Sequence, residues 1–75
     1  MIFYELWDVR SKNLIGTYTT EAEALGVVSE VIGTHGRAYI DGVALGWADN
    51  EDETRGEEIA SGETLAKRAE NQRAA

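Results

Sequence analysis

The sequence predicts an α+β fold: a four-stranded antiparallel sheet with one packed helix and a C-terminal helix, in the order ββαββα. Three observations predict it. Residues 2–9 and 14–19 are rich in branched and aromatic side chains and are separated by the polar turn Arg10-Ser11-Lys12-Asn13, the pattern of a β-hairpin. Thr20 is followed three residues later by Glu23 and then by apolar positions at helical spacing, which is a capped amphipathic helix. Residues 43–49 alternate large and small apolar side chains, which is the period of a strand.

In the first strand, alternation puts Ile2, Tyr4, Leu6 and Asp8 on one face and Phe3, Glu5, Trp7 and Val9 on the other. Neither set is clearly solvated, so this strand belongs in the middle of the sheet or is half covered by a partner. The helix begins after Thr20, whose hydroxyl can accept the amide of Glu23, and Glu21 and Glu23 favour its positive end. At about 100° per residue, Ala22, Ala24, Leu25, Val28, Val31 and Ile32 form one stripe, with Val27 outside it. Gly33 or Gly36 can end the helix in a left-handed conformation.

The third strand places Val43, Leu45 and Trp47 on one face and Ala44, Gly46 and Ala48 on the other. Residues 49–56 are too polar to bury and read as a mobile hairpin loop into a short fourth strand, 57–60. Ser61 offers an N-cap for a last helix that starts near Gly62 and carries Leu65, Ala66 and Ala69. On its own that helix is marginal, being short and thinly apolar. The chain is expected to be a single domain, residues 1–75, with 71–75 a frayed tail.

Seventy-five residues make a small core, since a domain of this size buries only about 60% of the surface its unfolded chain exposes. Without cysteine there is neither a disulfide nor a thiolate zinc site, which favours a reducing compartment. No apolar run is long enough for a membrane span and the N-terminus lacks signal-peptide features, so a cytoplasmic location and no membrane partner are expected. Fourteen acids against seven bases give a net charge of −7. That sign disfavours direct contact with nucleic acid and suits a basic protein partner. The charge is uneven: −3 over residues 1–48, −6 over 49–63 and +2 over 64–75.

Few residues suggest chemistry. Asp49, Glu51 and Glu53 alternate as carboxylate ligands for a hard cation would, but an EF-hand needs Gly and Glu where Thr54 and Ala60 stand. The loop therefore reads as a solvated acidic segment. His35, the single histidine, has no nucleophile or orienting partner nearby in sequence and reads as a charge beside the helix C-terminus. The eight glycines are dispersed rather than gathered in a phosphate loop, and Gly42 and Gly46 read as sites of a bulge or close backbone approach. The expectation is a non-enzyme with no catalytic residue, no metal and no cofactor.

The aromatic residues are the more informative set: Phe3, Tyr4, Trp7, Tyr18, Tyr39 and Trp47. With one helix on one sheet face, Phe3, Trp7 and Val9 must meet the last helix, a second copy of the chain or another protein. The stretch Tyr4-Glu5-Leu6-Trp7-Asp8, Asn13-Leu14-Ile15-Gly16, Tyr18, Thr20 and Glu23-Ala24-Leu25, extending to Ala44-Leu45-Gly46 and Ile59-Ala60, resembles a group of small uncharacterised bacterial proteins that open with a comparable hairpin and helix. More loosely, the passage with Thr20, Glu23, Ala24 and Val27 is similar to the strand-to-helix segment of HicB-like antitoxins, which implies a protein that neutralises a partner.

The function expected from these readings is an acidic interaction module for a basic protein. Phe3, Trp7 and Val9 would supply the buried contact, and Asp49, Glu51, Asp52, Glu53, Glu57 and Glu58 the electrostatic attraction. The alternative is a structural homodimer formed through the aromatic sheet face or a strand edge, with the acidity serving solubility alone.

Overall fold

The computed structural model describes residues 1–74. Its elements are β1 (Ile2–Asp8), β2 (Asn13–Tyr18), α1 (Glu21–His35), a 3-10 turn (Arg37–Gly42), β3 (Val43–Asp49), β4 (Gly56–Ser61) and α2 (Gly62–Ala74). The predicted order ββαββα is the observed one, with the 3-10 turn added before β3. Sheet order is β2-β1-β3-β4 with every neighbouring pair antiparallel. The aromatic first strand is thus central, and β2 and β4 are the edges.

Local chemistry sets the boundaries. Asp8 accepts the amides of Arg10 and Ser11 at 3.0 and 3.4 Å, which turns the chain after β1, and Lys12 takes the left-handed conformation (φ 61°) before β2 begins. Thr20 caps α1 by accepting the Glu23 amide at 3.1 Å. The Glu23 carboxylate returns to the hydroxyls of Thr19 and Thr20 at 2.7 and 3.3 Å, rather than to a backbone amide. At the other end of α1, Gly36 adopts φ 90° and donates its amide to the Ile32 carbonyl. The passage from β4 to α2 is made by Gly62 at φ 53°, with Ser61 still in the strand. Ser61 stands directly before α2, where the cap was expected, and Gly62, which has no side chain, makes the abrupt turn.

Both helices lie on the same side of the sheet, α1 toward β1 and β2 and α2 toward β3 and β4. The core between them holds Leu6 and Leu45 from the sheet, Leu25 and Val28 from α1, Ile40 from the 3-10 turn, and Leu65, Ala66 and Ala69 from α2. Val27, outside the predicted stripe, also packs against this core, because α1 must cover α2 as well as the sheet. Ala22, inside the stripe, is exposed; its carbonyl accepts a bond from Gln72 of α2 at 3.0 Å. Arg68 pairs with Glu21 at 2.7 Å, and Arg37 pairs with Glu63 and Glu70 at 3.0 Å each. The thinly apolar C-terminal helix is therefore held by Leu65 and by these polar ties to its neighbours. It continues through Ala74; Ala75, the end of the tail expected over 71–75, lies outside the described residues.

Because α2 shares a side with α1, it does not meet Phe3 and Trp7. The opposite face of the sheet is left without a covering element among the described residues.

Candidate functional site

Strand register builds the open face as three rungs. Trp7 of β1 lies between Leu14 of β2 and Ala44 of β3, and Ala44 faces Ser61 of β4. Glu5 lies between Thr17 and Gly46, and Gly46 faces Glu58. Phe3 faces Ala48, and Ala48 faces Gly56. The small residues Ala44, Gly46 and Ala48 thus form a floor along β3, between the large side chains of β1 and the acidic strand β4. A groove of about 470 Å³ runs over that floor, bounded by Glu5, Trp7 and Val9 on one side and by Glu58 and the loop residues Glu53–Arg55 on the other.

The floor is low for a local reason. A bulge in β4 shifts register between Leu45 and Gly46, and a β-carbon placed on Gly46 would lie 3.0 Å from the Glu57 carbonyl oxygen. Glycine therefore fits where the two backbones approach closely. Trp7 is half-buried, Val9 is 49% exposed and Leu14 45% exposed, so the face carries apolar surface that no element covers.

The β3–β4 loop is tied down at its base. Asp49, whose side chain is only 10% exposed, accepts the N-terminal ammonium at 3.0 Å, the Glu51 amide at 2.9 Å and the Arg55 guanidinium at 3.4 Å. The Glu51 amide foremost, and then the N-terminal ammonium, hold the Asp49 carboxyl below its ordinary value of 3.8. Asp52 accepts the Thr54 amide and hydroxyl at 3.0 and 2.6 Å, and its carbonyl accepts the Arg55 amide. A polar loop expected to be mobile is in this way cross-linked to its own backbone. Arg55 also lies over the Trp47 ring, 5.6 Å from its centre.

The structure divides the residues expected to bind a partner. Phe3, Trp7 and Glu58 share the open face, Val9 stands at the groove end, and Glu53 stands at the loop rim. Glu57 faces Trp47 across the ladder, and both also line the groove, at its β4 edge. Asp49 is engaged internally, as just described, and Glu51 pairs with the N-terminal ammonium at 3.5 Å. Glu5 and the small floor are part of the arrangement and were absent from the expected set. Glu5 has the same strand parity as Phe3 and Trp7, and that was the signal available for it.

His35 is exposed, with its ring stacked on Tyr39 at 5.0 Å between centres. Among the described residues, no group of three or more His, Asp and Glu side chains is placed to hold a metal ion, and no helix is long and apolar enough to cross a membrane. A second groove of about 460 Å³, between α1 and the end of α2, is lined by Gly26, Ser29, Glu30, Gly33, Gln72 and Arg73 and gathers little chemistry.

Fold and face together define a small α+β domain with both helices on one side of its sheet and an acidic, aromatic groove on the other. Comparison with family models, curated proteins and solved structures finds no match to this chain.

Proposed function

We propose that this chain is a non-enzymatic interaction module that binds a basic protein partner and, in the manner of an antitoxin, neutralises it. One observation carries the reading: Phe3 and Trp7 share an uncovered sheet face with Glu5 and Glu58. The acidic groups raise the encounter rate with a cationic surface, and burial of the aromatic side chains sets the lifetime of the complex. The test is capture from native cell extract at low and moderate salt, using the wild-type chain and Trp7→Ser as baits. One basic protein should be retained by the wild type at low salt, released at higher salt and lost from Trp7→Ser. Equal recovery by both baits would refute the role of the face.

A homodimer is the second reading. It is favoured by the free edge of β2, where Leu14 and Ile15 are 45% and 43% exposed. Mass measured across a concentration series separates the two. A monomer at all concentrations removes the dimer, whereas a stable dimer abolished by substitution of Phe3 or Trp7 would assign the face to self-association.

A further inference from the structure

The groove floor, the aromatic wall and the two glutamates together fit a particular side chain. Glu5 and Glu58 stand on the same rung with only Gly46 between them, so their backbones are about 10 Å apart across two strand spacings. Both carboxylates can lean over the glycine toward one cation. Trp7 lies on the same face of the same strand as Glu5, two residues on, and offers an indole surface beside them. Among the described residues no ion pair engages Glu5, Glu53 or Glu58. The one base lining the groove, Arg55, is already paired with Asp49.

The molecule displays the complementary chemistry a few residues away. Trp47 and Asp49 are two residues apart on one face of β3, and Arg55 fills the space they share, its guanidinium over the indole and bonded to the carboxylate. Trp7 and Glu5 repeat that pairing on β1 without a cation. A guanidinium suits such a place better than an ammonium, because it is planar, stacks on an aromatic face and can bridge two carboxylates. At about 470 Å³ the groove has the size of a small-ligand site.

We infer that the groove over Gly46 receives an arginine side chain of the basic partner, with its guanidinium between Glu5 and Glu58 and its flat face toward Trp7. This rests on the proposed function and names the group that is read.

The test uses the intact 15N-labelled chain titrated with three short capped peptides identical except for a central arginine, lysine or citrulline, observed by amide and indole NMR. The arginine peptide should shift the Trp7 indole and the Gly46 and Glu58 amides saturably. The lysine peptide should bind several-fold more weakly and the citrulline peptide should leave these signals unmoved. The amides of Leu65 and Ala66, buried in the core on the helix side of the sheet, serve as the internal control. Glu5→Gln/Glu58→Gln, which retains the shape and removes both charges, should lose the arginine response while its own spectrum stays folded. Equal responses to arginine and lysine would overturn the inference in favour of diffuse acidity, and equal responses to arginine and citrulline would overturn it in favour of an apolar contact. If a basic protein is captured through Trp7 while the arginine peptide leaves the groove unmoved, the arginine assignment fails and the interaction module stands. If the peptide binds as described and no basic protein is captured, the arginine site stands and the module reading fails.

Discussion

Glu5 and Glu58 face each other across Gly46 on the open side of the sheet, two like charges separated by one residue without a side chain. Like charges on one sheet face are mildly destabilising. Their juxtaposition is therefore a small cost to the free fold that a bound cation would remove.

Neutralising one of the pair should stabilise the free protein slightly. Glu58→Gln is expected to raise unfolding free energy by a few tenths of a kcal/mol, within about 0.5 kcal/mol, and the gain should shrink as salt is added. Urea denaturation at low and high ionic strength measures it. A clear loss of stability would mean that Glu58 makes a favourable contact within the fold.

The two sides of the sheet should respond unequally to truncation. Leu65 is fully buried in the core, and Leu65→Ala should cost about 2–5 kcal/mol, a large share of what a domain of this size has in total. Trp7→Ser, on the open face, should unfold at nearly the wild-type urea concentration. Equal losses would show that Trp7 belongs to the stabilising core.

At the start of α2, Gly62→Ala should lose about 1–2 kcal/mol because the position needs φ 53°, which places a β-carbon against the following carbonyl. Gly62→Asn should lose less, since asparagine tolerates the left-handed region. Thermal or urea unfolding of the two variants side by side gives the order; an alanine variant as stable as the asparagine one would contradict it.

Asp49 gives the loop a pH dependence of definite sign. Its folded value lies below 3.8, so the unfolded chain takes up a proton first as pH falls. The contribution of Asp49 is complete above about pH 4 and is lost as pH falls through the lower folded value. Asp49→Asn should thus be less stable than wild type at neutral pH, with the difference closing in acid. A difference independent of pH down to strong acid would place its origin elsewhere than in the carboxylate.

Much of the architecture is legible in the sequence because each local pattern agrees with the global fold. The alternations in residues 2–8 and 43–49 place the side chains on the faces they occupy, and Thr20 accepts the Glu23 amide as the spacing implies. The location of α2 was not legible. Leu65, Ala66 and Ala69 specify an apolar stripe but not which side of the sheet receives it; this follows from the three-dimensional course of β4 and the turn at Gly62. Part of the site followed from parity, which puts Phe3 and Trp7 together. Its pairing of Glu5 with Glu58 depended on strand order and on the β4 bulge, which no local pattern encodes. Asp49 likewise read as one acid among several, since its partners at the N-terminus and Arg55 are brought to it only by folding.

The most direct test of the open face as the partner-binding surface is the footprint of the captured basic protein on the 15N-labelled chain. The account predicts that shifts and broadening concentrate at Phe3, Glu5, Trp7, Gly46 and Glu58, with the outward surfaces of α1 and α2 unaffected. A footprint on the helices that leaves Trp7 and Gly46 unchanged would contradict it.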